Sequence, residues 1–325
     1  MSKVLFIYQD EGLASSRIRI LNLLTEIRKE GIHATVAGYP KSLLKKMSLL
    51  RKAKEFDIVY LQKKLLSPPE VKILRKYAKR IFFDFDDAIY CRNNTEGDLE
   101  SRSRDMRFRY IVQNADLVVA GNGVLADYAR QFSKNVVIIP SAVETRNIPV
   151  KDYTAVHEDT IIGWVGGRGN LHHLKMLSPV LKELSSGHSI QVNIVCDAAL
   201  DIPSVKVKNI PWRLETQEKE IALFDIGVMP LPDDRWTQGK CGYKAIQYMA
   251  AAVPPVISDV GSNRDILDHN REGFLVPSID GFYGTLKLLV EDRNRREKIG
   301  LNARKKAEER FSVHVVGKML ADILK

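Results

Sequence analysis

Nowhere in its 325 residues does the chain run for about 18 apolar residues without interruption, so nothing in it reads as a membrane span. It opens MSKVLFIYQDEG, a short strand-like core followed by acids, which is not the pattern of a secretory signal. Cysteine is scarce. Cys91, Cys196 and Cys241 lie far apart and make no metal or redox spacing, which fits a reducing cytoplasm. Acid is scarce in one region: Lys41 to Arg80 holds thirteen Lys or Arg against Glu55, Asp57 and Glu70, a surplus equal to the net charge of +10 of the whole chain. No recognised nucleic-acid module accompanies this charge, so no nucleic acid is expected as partner. Within it, Lys41 to Lys54 sets Leu43, Met47 and Leu50 on one helix face and lysines on the others. Such a helix can rest on an anionic bilayer or simply cover a sheet, and the concentration of charge favours the bilayer. The expected location is cytoplasmic, peripheral on the inner face of the membrane.

What is present is a repeated alternation of short apolar strands and helical stretches. Val4–Tyr8, His33–Ala37, Asp57–Leu61, Arg80–Phe85, Asp116–Ala120 and Val136–Ile139 read as strands, with a helix over Ser15–Glu30 stopped by Gly31. A polar, charge-mixed linker over Glu144–Asp159 precedes a second set: Thr160–Val165, Gln191–Cys196, Val205–Val207, Asp225–Met229, Pro255–Ser258 and Gly273–Val276. The expected fold class is α/β, two Rossmann-like domains with parallel sheets facing a central cleft, the first over residues 1–150 and the second from 151.

The block Asp225–Val276 carries the most chemistry. Ile226–Leu231 ends at Pro232, PDDRWTQGK reads as a polar loop, and a helix is expected from near Cys241 to the Pro254-Pro255 break. Gly239 and Lys240 at that helix start suit the phosphates of a ligand, because a helix N-terminus presents unpaired N–H groups and partial positive charge. Lys240 and Lys244, four apart, would share a face where two cations neutralise a diphosphate.

The order of these pieces, with Gln247-Tyr248-Met249-Ala250, Val253-Pro254-Pro255-Val256 and Gly273-Phe274-Leu275-Val276, resembles the donor-binding module of GT-B glycosyltransferases, closest to retaining family 4. The likeness covers this block specifically and nearly the whole chain more weakly. It implies a donor domain over 151–306 and a terminal helix within 307–325 that crosses back to the first domain. It implies a metal-independent enzyme without a cofactor, using a nucleotide diphosphate sugar as co-substrate and a glycan or lipid-linked acceptor. One departure matters: the family's two glutamates, eight positions apart, fall here on Gly239 and Gln247. Gln247 can still bond ribose hydroxyls without charge, whereas Gly239 cannot serve the donor sugar.

In the family the turn Gly166-Gly167-Arg168 contacts the diphosphate, and the nucleobase docks beside the turn before Trp212, which reads equally as a stacking platform or as core. Phe82–Asp87 ends a strand with three carboxylates. Strand-end carboxylates suit orienting a sugar or acceptor hydroxyl, or holding a metal as in the D-x-D motif of the other glycosyltransferase fold, which Asp84-Phe85-Asp86 matches. Asp86, with its neighbours Asp84 and Asp87, falls where many members carry a cleft histidine, which favours the first role, with capping of the next helix by Asp86 or Asp87 as the alternative. Gly12, Ser16 and Arg17 read as a cleft loop, a helix cap and a first-turn cation that meets an anion. His172 and His173 read as a surface helix rather than metal ligands, with no third ligand nearby. The expected catalytic set is Lys240, Arg168 and Asp86, with no metal. A nucleotide-sugar epimerase and a non-catalytic sugar-nucleotide scaffold are the rival readings.

Overall fold

The computed structural model describes residues 2–93, 97–155 and 158–325. Residues 156 and 157 of the expected linker lie outside the described residues. The chain divides into two compact units, one of residues 1–142, 234–241 and 311–325, the other of 143–233 and 242–310.

In the first unit, strands β1 (Lys3–Tyr8), β2 (His33–Gly38), β3 (Ile58–Gln62), β4 (Arg80–Phe85), β5 (Leu117–Ala120) and β6 (Val136–Ile138) form one sheet of order β2-β1-β3-β4-β5-β6. Every pairing is parallel. The strands are apolar on both faces because both are covered, as parallel sheets require. Val4, Phe6, Tyr60 and Phe82 point to one core, while Leu5, Ile7, Leu61 and Phe83 point to the other. Helix α1 (Ala14–Arg19) leads through Ile20 and Leu23 into α2 (Leu24–Lys29), which flanks the first core; α3 (Leu43–Lys52), α4 (Pro68–Tyr77), α5 (Arg102–Asn114) and α6 (Gly123–Arg130) flank the second. The single helix expected over Ser15–Glu30 is broken. Ile20 leaves helical geometry at φ −129°, and both it and Arg19 are buried there. Gly31, at φ +81°, takes the left-handed conformation that ends the second piece.

The second unit repeats the plan. Strands β7 (Thr160–Val165), β8 (Ile190–Cys196), β9 (Lys206–Pro211), β10 (Ile226–Met229), β11 (Pro255–Ser258) and β12 (Phe274–Val276) form an all-parallel sheet of order β12-β11-β10-β7-β8-β9. β9 is longer than expected, because its backbone follows β8 as far as Cys196↔Pro211. The helices are α7 (Leu171–Lys175), α8 (Ser178–Gly187) and α9 (Gln217–Ala222), then α10 (Arg235–Gln238), which belongs to the first unit, then α11 (Tyr243–Ala250), α12 (Gly281–Glu291) and α13 (Arg293–Arg310). The last helix, α14 (Val313–Leu324), lies in the first unit, with Val316, Leu320, Ala321 and Leu324 buried beside Val4 and Phe6. Both sheets thus reverse strand order beside their first strand, β1 or β7, and such a reversal opens a crevice at the carboxyl ends of the strands.

Candidate functional sites

In the first unit the three carboxylates after β4 separate. Asp84 is wholly buried and accepts from Arg19, whose Nε lies 3.2 Å from both carboxylate oxygens and whose Nη1 donates to the Ile139 carbonyl at 2.6 Å. A carboxylate so enclosed orients no substrate, so the expected cleft role of Asp84 gives way to a structural ion pair. Asp86 and Asp87 both pair with Lys63, the Asp86 Oδ1 at 2.9 Å. Burial would lower the Lys63 pKa, but the two carboxylates outweigh it and raise it. Burial likewise pushes Asp86 up, with Lys63 opposing and Asp87 assisting. Lys63 reaches this place by adopting φ +59°, its N–H held by the Asp84 carbonyl at 2.7 Å. Nothing in its sequence context signalled it.

The segment 234–241 packs here too. The expected open loop contains α10, whose Asp234 side chain accepts from the Trp236 and Thr237 N–H groups at 2.9 and 2.8 Å. This capping box, Asp-x-x-Thr, was a usable sequence signal. A Cβ on Gly239 would come within 2.8 Å of the Ala88 Cβ, so glycine permits the close approach. The Asn122 Nδ2 donates to the carbonyls of Gly239 and Lys240 at 3.0 and 3.3 Å, and its Oδ1 accepts from the Leu125 N–H, capping α6. The Cys241 thiol donates to the Asp86 carbonyl at 3.2 Å. Lys240 lies over the Trp236 ring, 5.4 Å from its centroid. It therefore follows α10 rather than opening α11, which begins at Tyr243 behind Gly242 at φ +56°. Lys240 and Lys244 do not share a helix face, and they belong to different units.

At the N-terminal loop, Gly12 donates to the Asp10 carboxylate at 2.9 Å and Arg17 Nη1 donates to the Gly12 carbonyl at 3.2 Å. Ser16 is not the cap: Leu13 stands at the N-cap of α1, and the Ser16 Oγ is fully buried without a hydrogen bond.

In the second unit the remaining residues gather at the carboxyl ends of β7, β8 and β9 and the first turns of α11. The Arg168 N–H donates to the Asp197 Oδ1 at 2.6 Å and its Nε to Oδ2 at 3.1 Å, so a residue absent from the sequence reading anchors this turn. The Arg168 N–H, then its side chain, hold the Asp197 pKa down. The Arg168 side chain remains 72% exposed, in reach of an anion that competes with Asp197. A Cβ on Gly166 would lie 2.8 Å from the Lys244 Cε, so the bare backbone of Gly166 adjoins that lysine. Lys244 in turn stands over the Trp164 ring, 5.5 Å from its centroid. α11 is fixed by Tyr248, whose hydroxyl accepts from the Val165 N–H and donates to the Val228 carbonyl, each at 3.2 Å. Trp212 is part core and part polar contact. Its ring packs on the Val165 and Val195 cluster, and its Nε1 donates to the Gln217 Oε1 at 3.1 Å. The Gln247 Nε2 donates to that same oxygen at 3.3 Å. Gln217, like Asp197, was missed, since neither lies in a recognisable motif. His173 is buried, and no group of metal-ligating side chains occurs among the described residues.

Residues 160–292 match the family model described as Glycosyl transferases group 1. No curated protein matches the chain by sequence. Among solved structures, HepE of Anabaena in complex with UDP and glucose is similar at 14% identity, covering 100% of this chain and 99% of that one, with a TM-score of 0.76. Sucrose-phosphate synthase of Thermosynechococcus elongatus, at 14% identity, covers 99% and 98% with a TM-score of 0.78. The lipopolysaccharide outer core galactosyltransferase WaaB, in its apo form, is also 14% identical and covers 99% of each chain, with a TM-score of 0.70. The fold class is therefore GT-B, and residues 160–292 are similar to the group 1 glycosyltransferase model.

Proposed function

We propose that the protein transfers a sugar, with retention and without a metal, from a nucleotide diphosphate sugar to a glycan or lipid-linked acceptor. The observation that carries this reading is the grouping of Gly166, Gly167, Arg168, Lys244 and Gln247 near the carboxyl ends of the second sheet's strands, within the matched residues 160–292. Backbone N–H groups and two cations there suit a diphosphate, and charge developing on a departing diphosphate is where fixed cations accelerate transfer most. Gln247 supplies a ribose contact. In the first unit, Asp86 beside Lys63 suits the orientation of an acceptor hydroxyl, with Lys240 as a neighbouring cation. HepE was solved with UDP and glucose, which supports a uridine donor as the first to test.

The anionic bilayer remains the proposed partner surface. In α3 only Leu50 of the expected apolar face is buried, whereas Leu43 and Leu44 are 69% and 83% exposed. Burial and then the charge of Lys46, with Arg107 adding to it and Glu70 opposing, lower the Lys64 pKa, so cations from α3 and α5 lie near one another. No helix among the described residues is long and apolar enough to cross a membrane.

The deciding experiment incubates the protein with UDP-, GDP- and ADP-sugars in the presence of vesicles and an acceptor panel, and measures nucleoside diphosphate release. Release that requires acceptor, survives EDTA and falls in Arg168→Ala is expected. Isomerisation of the sugar without release would establish the epimerase, and binding without turnover the scaffold.

A further inference from the structure

The donor reading leaves open what sets the orientation of Gln247, a neutral amide that could present either end to a ligand. Its Nε2 lies 3.3 Å from the Gln217 Oε1, and the same oxygen receives the Trp212 Nε1 at 3.1 Å. Indole nitrogen only donates, so Gln217 must turn its oxygen, not its nitrogen, toward Trp212. Burial raises the Glu218 pKa, and a side-chain hydrogen bond with Gln217 works against that rise. The donor-only indole fixes the polarity: Gln217 turns its oxygen to both Trp212 and Gln247. Gln247 therefore directs its Nε2 toward Gln217, and its Oε1 is the end left for a ligand. No hydrogen bond to that oxygen occurs among the described residues.

We propose that Gln217 is a positioning residue of the nucleotide site, holding the Gln247 side chain so that its carbonyl oxygen accepts from the vicinal hydroxyls of a ribose. This rests on the reading of the second unit as a nucleotide-sugar site. A carboxylate at position 247 would accept whichever way it turned; an amide needs its polarity set from behind, and the Trp212–Gln217 pair sets it. Gln217 is the first residue of α9, so substitution there costs the helix little.

The test compares UDP, GDP and ADP with their 2′,3′-dideoxy analogues by calorimetry on the whole protein. The wild-type chain is expected to prefer the intact ribose. Gln217→Met, which keeps bulk but neither accepts nor donates usefully, should weaken the intact nucleotide by about tenfold, the worth of about one hydrogen bond, and leave the dideoxy analogue unchanged. The exchange Gln217→Glu with Glu218→Gln preserves the polarity, since residue 218 then donates to a carboxylate at 217 that still accepts from Trp212 and Gln247. It should restore discrimination to within about twofold of wild type, a rescue that mere packing does not predict. Unchanged discrimination in Gln217→Met, or an exchange variant that folds but does not discriminate, overturns the proposal while the donor site stands. A wild-type chain that binds none of the three diphosphates removes the donor reading itself.

Discussion

At the scale of single residues, the fate of a charge here is decided by what encloses it. Arg19 and Asp84 are both buried, and removing one partner strands the other. Arg19→Met is expected to cost about 3–5 kcal/mol in urea unfolding, the range for an orphaned buried charge. Glu70 accepts from the Ser67 N–H and hydroxyl and from the Tyr39 hydroxyl; burial works against these bonds, but together they hold its pKa down at about 2, below the ordinary 4.5. A depressed folded-state pKa means that the stabilisation is complete above 4.5 and drains away as pH falls toward 2. The stability gap between wild type and Glu70→Gln should therefore be constant near neutrality and close over that window, and a gap independent of pH would remove the assignment. For Asp86 the sign is opposite. Lys63 restrains a pKa that burial pushes up, so Lys63→Met should move the acid limb of the pH–rate profile to higher pH. The sequence could not separate Asp84 from Asp86, because their partners Arg19 and Lys63 lie 65 and 23 positions upstream and reach them only through the fold.

At the scale of elements, the most informative piece is Asp234–Cys241, a stretch of the second half of the chain that packs in the first unit. Asn122 does two tasks with one amide, and the tasks can be separated. Asn122→Asp keeps the acceptor that caps α6 but loses the donor to the Gly239 and Lys240 carbonyls. Hydrogen exchange should quicken at 239–241 while the first turn of α6 stays protected, whereas Asn122→Ala should loosen both. Gly242 carries a second constraint. Its φ of +56° and the contact a Cβ would make with Ile266 predict a loss of at least about 1 kcal/mol in Gly242→Ala. Strands were legible because covered parallel strands are short, apolar and bounded by turns, and β1, β4, β7 and β11 fall where the apolar runs lie. Helix starts were less so. The amphipathic pattern ran through Ile20 without a mark of the break, and the glycine-lysine pair at 239–240 imitated a helix opening that the backbone delays to Tyr243.

At the scale of the molecule, the two sheets show the same plan, and the alternation of strand and helix was enough to read it. The residues proposed for the donor, Gly166, Gly167, Arg168, Lys244 and Gln247, could be named together from the sequence because their segments come in a fixed order of strand, turn and helix. Their supports, Asp197, Gln217 and Glu218, were not, since a hydrogen-bond partner needs no motif. The first unit is assembled from three stretches of chain, the last of which is α14. Deleting residues 311–325 would open the core that α14 shares with Leu23 and Ile27 and forgo the burial of Val316, Leu320 and Leu324, each worth about 2 kcal/mol. Loss of the soluble folded first unit is expected, and a truncated chain with an unchanged cooperative melt would contradict it.

The placement of α14 also sets a timetable. A ribosome makes the six strands of the first sheet and α2 long before it makes Val313–Leu324, so the core they share must lack part of its cover while the second unit is synthesised. Nascent chains stalled before residue 311 should accordingly bind chaperones through the core around Leu23 and Ile27, and release should coincide with emergence of the last turns.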